Sequence, residues 1–371
     1  MTTRRNFLKA TTAAATGIVF CSCAMLDAAH AQQVLNPHQP DGGRRLPVAV
    51  NGKRVKTIDV HSHCNFHDIE PLLGTDAATV LLPPINGAKN AFIEIDNRLK
   101  AMDAQAVDME VLSVNPFWYS KDRDLAAKIV KIQNEKLAEL CAAKPDRFAA
   151  FASLTLQAPD LAVQELEIAM KKQGLRGAAI GGSVGSAEFS DPKFNPVWAK
   201  AEELGAVLFI HPQGVPELSK RFAGNGWLGN TIGNPLDTTI ALSHLIFEGT
   251  LDRYPGLKII AAHGGGFLPS YADRSDHACF VGPAGCDPKT TLKKKPTEYL
   301  KQLYFDSLIY SPEAMRHLAA QVGIGQIVMG SDYPYPWQLH PVDAIFDTSF
   351  SDEEKAGILG TTAAKLLGIK V

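Results

Sequence analysis

Thr57-Ile58-Asp59-Val60-His61-Ser62-His63 is a short run of β-forming residues that ends in two histidines spaced i and i+2. In extended backbone, residues two apart leave the same face, about 6 to 7 Å apart along the strand, so the two imidazoles can converge on one ion. The stretch also argues against an open doubly wound sheet of the nucleotide-binding type. Such a sheet needs a glycine-rich turn after its first strand, and this strand ends in His-Ser-His.

Similar apolar runs recur downstream. With Lys56–His63 as the first, Met109–Pro116, Arg147–Gln157, Leu175–Ser183, Val207–Gly214, Lys258–Gly264, Leu303–Tyr310 and Gln326–Pro334 complete a set of eight predicted strands. Helix-patterned segments lie between them, such as Asp160–Gln173, stopped by Gly174, and Phe194–Leu204, stopped by Gly205. Nearly continuous apolar strands alternating with helices indicate a parallel sheet covered on its outer face. Eight such units over 53–371 predict an α/β fold of the closed (β/α)8 TIM-barrel type. One helical segment, Leu236–Thr250, is apolar on most faces; burial against the barrel explains it, and a homodimer contact would look the same.

The polar exceptions fall at strand ends. His211 closes the fifth run, His263 the sixth and Asp332 the eighth, joining His61 and His63. The C-terminal ends of the strands form the rim on which barrel enzymes build their active sites. A single strand-end histidine has an ordinary structural explanation; five such residues on one rim predict a metal site.

His61-x-His63, His211-Pro212, Ala262-His263-Gly264-Gly265-Gly266 and Gly330-Ser331-Asp332-Tyr333-Pro334 together resemble the decarboxylase branch of the amidohydrolase superfamily, and within it the aminocarboxymuconate-semialdehyde decarboxylases. The similarity runs from about Lys56 to the C-terminus and is densest in Trp227–Arg274. It implies that His61, His63, His211 and Asp332 ligate one divalent ion, and that His263 stays off the ion as the acid–base group acting on the water beside it. It also implies that Asp332 moves protons while it ligates, that Arg274 holds a substrate carboxylate, and that Trp227 belongs to the pocket. A surface ion pair with Asp273 or Asp276 is the structural alternative for Arg274. The fourth run, Leu175–Ser183, contains no lysine that could be carbamylated to bridge two ions, which favours a single metal. Three imidazoles and a carboxylate suit zinc first, with manganese as the alternative.

Two departures touch the substrate shell. The family's second carboxylate-binding arginine, between the first strand and the first barrel helix, has no counterpart in Cys64–Asn97, and Gln213 stands where the family has tryptophan. The expected activity is therefore that of a metal-dependent carboxy-lyase acting on an unsaturated or aromatic acid of open identity. Metal-assisted hydrolysis of an ester, lactone or amide is the alternative.

Bulk properties agree with a small-molecule enzyme. The 371 residues are 46% hydrophobic and 20% charged with a formal net charge of −2, which offers no basic surplus for nucleic acid. Ahead of the barrel, Arg4-Arg5 precede an apolar, Ala- and Thr-rich stretch that ends at Ala29-His30-Ala31. This reads as a twin-arginine signal peptide over 1–31, cleaved to leave no stable membrane anchor and a periplasmic protein, followed by a linker over 32–52. In an oxidising compartment Cys279 and Cys286 could pair across their short loop or remain free thiols.

Overall fold

A computed structural model describes residues 47–371. The signal segment at 1–31 and most of the 32–52 linker lie outside the described residues. The end of that linker is ordered, because Ala49–Val50 (β1) pairs antiparallel with Lys53–Arg54 (β2) around an Asn51-Gly52 turn. The boundary at 52 therefore cuts a hairpin, whose tight turn is Asn51-Gly52.

Eight parallel strands follow: β3 (Ile58–His63), β4 (Met109–Ser113), β5 (Phe148–Ala150), β6 (Gly177–Ile180), β7 (Val207–Ile210), β8 (Lys258–Ala261), β9 (Tyr304–Asp306) and β10 (Ile327–Val328). They pair in the orders β3-β4-β5 and β6-β7-β8-β9-β10. Backbone bonds close both seams. The Ala152 N–H donates to the Gly177 carbonyl at 2.8 Å, and the Val60 N–H donates to the Met329 carbonyl at 2.9 Å. The ring is a (β/α)8 barrel. Its ladders are shorter than the predicted strands because the chain beyond the last ladder bond stays buried while turning into rim loops, as in Phe151–Leu156 after β5.

The helices that cover the barrel include α1 (Ile95–Ala104), α2 (Arg123–Ala143), α3 (Pro159–Lys171), α4 (Asn195–Leu204), α5 (Gly233–Phe247), α6 (Leu268–Ser275), α7 (Pro312–Val322) and α8 (Thr362–Leu367). Asp122 caps α2 by accepting from the Asp124 and Leu125 N–H groups, and Gly205 ends α4 in the left-handed region. Helix α5 buries Ala241, Leu242, Leu245 and Ile246, while Leu236, Ile240 and Phe247 are half-buried. No described helix is long and apolar enough to cross a membrane.

Apolar side chains fall into two layers. Ile58, Val60, Met109, Val111, Phe151, Phe209, Ile260 and Val328 fill the barrel, and Ala363, Ala364, Leu366 and Leu367 of α8 seal its N-terminal end. That seal depends on Gly360, where a Cβ would lie 1.9 Å from the Lys56 carbonyl oxygen. The larger layer packs the outer strand faces against the helices, with Trp118, Phe148 and Trp198 fully buried. The bottom is closed, so chemistry is confined to the opposite rim.

Candidate metal centre and active site

Regular alternation along β3 would put His61 and His63 opposite Ile58 and Val60, outside the barrel. A β-bulge prevents this. Asp59 pairs with Glu110 and Ser62 with Leu112, so three steps on β3 match two on β4. The extra residue turns the strand end inward, and the His61 ring meets the interior Phe209 at 5.0 Å between centroids.

His211 follows β7, and its N–H extends the ladder to the Ile180 carbonyl at 2.8 Å. Asp332 follows β10, tied by its N–H to the His61 carbonyl at 2.8 Å. Ligand atoms of His61, His63, His211 and Asp332 lie within 4.8 Å of one another, and all four residues are buried. His61 Nε2 stands 3.1 Å from His63 Nε2, and Asp332 Oδ1 lies 3.3 Å and 2.9 Å from these two atoms. His211 Nδ1 and Asp332 Oδ1 are buried without an aligned hydrogen bond. Three imidazoles and one carboxylate brought this close in a buried site form a donor set that fits one divalent metal ion.

His263 stands beside this set. Its Nε2 lies 3.9 Å from Asp332 Oδ2, and its ring is 5.3 Å from those of His61 and His211. His263 and Asp332 both occupy the left-handed backbone region, at φ 55° and 66°. Each costs about 1 to 3 kcal/mol for a non-glycine residue and persists only because its surroundings hold it. After His263 the chain turns through Gly266, where a Cβ would lie 2.0 Å from the Pro235 carbonyl oxygen.

A cavity of about 280 Å³ opens from His63, His211 and Asp332. Trp227, itself at φ 50°, lines it and stacks on Trp337 at 5.7 Å between centroids and 10° between planes. Arg274 is placed elsewhere: it is exposed on α6, outside the cavity wall, and forms no ion pair with Asp273 or Asp276. Cys279 and Cys286 are disulfide-bonded in the loop beyond it.

Residues 58–369 match the family described as Amidohydrolase. The chain belongs to that family. It is 32% identical over 279 residues to the 2-amino-3-carboxymuconate-6-semialdehyde decarboxylase of Dictyostelium discoideum, covering 74% of this chain and 76% of that one. A 2,6-dihydroxybenzoate decarboxylase solved with 2,6-dihydroxybenzoate superposes with a TM-score of 0.74 at 27% identity, over 85% of this chain and 99% of that one. A dihydroxybenzoic acid decarboxylase from Polaromonas sp. JS666, solved with manganese and 2-nitroresorcinol, gives 0.72 at 25% identity, over 85% and 97%. This amidohydrolase is a metal-dependent carboxy-lyase.

Three residues that sequence reasoning passed over organise the amidohydrolase site. Asp306, at the end of β9, accepts from His61 Nδ1 at 2.6 Å, from the His263 and Gly264 N–H groups at 3.0 and 2.8 Å, and from the Leu308 N–H at 3.2 Å. It thereby holds the His61 ring and the His263 backbone at once. Asp59 accepts from the His61 N–H at 3.0 Å and from the N–H and hydroxyl of Ser331, pinning the bulge to the segment that carries Asp332. Buried Arg98 donates to Glu110 at 2.5 Å and to the Ser62 hydroxyl at 2.6 Å, and stacks over Tyr333. It braces both ligand segments and does not enter the cavity.

Electrostatics in the metal-free site follow from these contacts. Burial pushes the His61 imidazole down, but the Asp332 carboxylate and the hydrogen-bonded Asp306 outweigh it and hold it up, at about 10. Burial pushes His63 down, and burial with the neighbouring His63 and His61 rings pushes His211 well below the usual imidazole range. Burial alone would raise the Asp332 carboxyl; His61, His263 and His63 hold it well below the usual carboxylate range. Two neutral imidazoles and an ionised carboxylate are already in the state that metal ligation requires.

Proposed function

We propose that this amidohydrolase releases CO₂ from an aromatic carboxylic acid held against the stacked Trp227 and Trp337, with His263 and Asp332 handling the proton that takes its place. The observation that carries this reading is the four-ligand cluster with His263 Nε2 only 3.9 Å from the far oxygen of Asp332. A divalent ion held by His61, His63, His211 and Asp332 supplies Lewis acidity to the oxygens of an acid.

The side chains account for the rest. A proton carried by the His263 and Asp332 pair is delivered to the ring carbon bearing the carboxylate. The carbon–carbon bond then breaks, its electron pair returns to the ring, and CO₂ leaves, so one carboxylate and one proton give one arene C–H and one CO₂. Asp306 keeps the His263 backbone in place for that transfer.

Zinc is the ion proposed first, from three nitrogen donors and one oxygen, and manganese is the alternative carried by the Polaromonas relative. The test is to strip the protein, reload it with zinc or manganese, and assay CO₂ against acid release on a panel of aromatic carboxylates and lactones. CO₂ release restored by one of these ions is expected. Acid release from the lactones without CO₂ would replace this reading with hydrolysis.

We further propose export through the twin-arginine segment, with the Cys279–Cys286 bond as support, since such pairs persist in oxidising compartments. Fractionation of expressing cells is expected to place the protein in the periplasm, and an Arg4→Lys, Arg5→Lys variant in the cytoplasm. Cytoplasmic retention of the unaltered chain would defeat this.

A further inference from the structure

Gln213 lines the cavity two residues beyond the ligand His211, and its Nε2 donates to the Pro116 carbonyl. Pro116 lies between Asn115 and Phe117, which line the cavity from the rim loop after β4. Around the ring, β5 and β6 stand between β4 and β7. One side chain therefore joins two rims that the sheet itself keeps apart. An exposed glutamine holds such a bridge only if its own backbone is fixed, because the free side chain has many rotamers.

Asp237, buried on α5, fixes that backbone: its Oδ2 accepts from the Gln213 N–H at 2.8 Å. Burial pushes the Asp237 carboxyl up to about 6, and hydrogen bonds from the Gln213 and Gly214 N–H groups pull it back, so it is an ionised acceptor at neutral pH. The carboxylate rests on the bare Cα of Gly182, just beyond β6, where a Cβ would overlap both of its oxygens. The adjacent Gly181 N–H donates to the Tyr119 hydroxyl at 3.3 Å, a second tie to the β4 loop. Three rims and the start of α5 thus converge on one carboxylate that does not itself line the cavity. The ligand is secured separately, since the His211 N–H is bonded to the Ile180 carbonyl.

We infer that Asp237 and Gln213 are positioning residues, a brace that fixes the β4 wall of the cavity against the β7 rim and so sets where a substrate lies relative to the metal and His263. Asp237 acts through Gln213 and touches no reacting group. A displacement of about 1 Å at a reacting centre can cost roughly a hundredfold in rate, so a wall held by a single side chain is a sensitive point. The inference rests on the proposed function only in that turnover is one of its readouts.

Hydrogen exchange on the metal-loaded protein tests the brace without any substrate. Asp237→Ala is expected to speed exchange in residues 213–216 and also in 115–121, to which Asp237 makes no hydrogen bond of its own. Gln213→Met keeps the side-chain length without the donor, and is expected to speed exchange in 115–121. Kinetics then test positioning, on whichever acid or lactone the protein turns over. Each variant is expected to lower kcat about ten- to a hundredfold, with metal content unchanged and KM within about threefold, because the ligands and the Trp227–Trp337 stack remain. Asp237→Asn keeps an acceptor for the Gln213 N–H and should recover most of that loss. The double variant Asp237→Ala, Gln213→Met should fall no more than about twofold below the worse single one, as two links of one path do.

Exchange that changes only in 213–216 in Asp237→Ala overturns the inference, as does unchanged kcat in both single variants. Losses that multiply in the double variant also overturn it, since Gln213 would then act on substrate independently of Asp237. If Asp237→Ala does not fold, Gln213→Met decides alone: unaltered exchange in 115–121 or unaltered kcat defeats the brace. A protein that shows both exchange effects and the kcat losses on lactones, yet releases no CO₂ from any acid, would defeat the decarboxylase reading and leave this one standing.

Discussion

Replacing His263 with asparagine is expected to lower kcat for CO₂ release by about a hundred- to ten-thousand-fold, the range that a positioned acid–base group contributes, with metal content unchanged. His263 lies outside the cluster of four ligand donors and reaches Asp332 through the oxygen that does not face His61 and His63. Removing it therefore takes away a proton carrier and leaves the ion's donors in place. Asparagine suits the test because it tolerates the left-handed backbone that His263 adopts, at φ 55°, where most residues would add strain. Asp306 would still receive the backbone N–H groups of residues 263 and 264. KM should move little if the lost group acts in the transition state and not in binding. Full turnover with metal still bound would remove His263 from the mechanism; loss of metal with turnover would make it a ligand.

The residues of this centre differ in how visible they are in sequence. His61, His63, His211, His263 and Asp332 stand out because each interrupts or ends an apolar run, and only a rim of strand ends explains all five. Asp59 and Asp306 carry the same signature, an acid inside a buried run, and could have been found by it. The partners of Asp306, a histidine Nδ1 on β3 and the N–H groups of the turn after the neighbouring β8, cannot be read from spacing. The bulge in β3 is equally invisible, because His-x-His reads the same on either face until the β4 register is known. Arg98 shows the limit most plainly. Cys64–Asn97 lacks an arginine and the next residue is one, yet only tertiary packing reveals that it points to Glu110 and not to the substrate. The carboxamides that line the cavity come from separate rim loops and from the start of α5, so no local pattern joins Asn65, Asn115 and Asn234. The disulfide was one of two open outcomes for a seven-residue spacing, and the fold pairs the two cysteines.

Asp306→Asn is expected to reduce metal affinity about ten- to a hundredfold, as loss of an outer-shell carboxylate does, and to change how that affinity depends on pH. In the unaltered chain one carboxylate orients the His61 ring through Nδ1 and takes three backbone N–H groups besides. An amide offers a single acceptor oxygen, so a buried donor must face the new NH₂ group whichever way it turns. The proton competes as well. Metal-free His61 is held up at about 10, so over most of the accessible range an incoming ion must displace a proton from it. Apparent affinity should therefore rise about tenfold per pH unit from neutrality and level off above about 10. The same elevation favours the metal-free fold in full below the unfolded imidazole value near 6.5, and that contribution is lost as pH rises through about 10. In the Asp306→Asn variant the His61 imidazolium keeps Asp332 as its counter-charge and loses the second carboxylate, so the plateau should begin at lower pH. Metal titrations across this range separate the two effects: the deficit on the plateau measures lost orientation, and the displaced onset measures lost charge. An unchanged onset would show that Asp306 does not set the His61 proton, and an unchanged plateau that it does not orient the ligand.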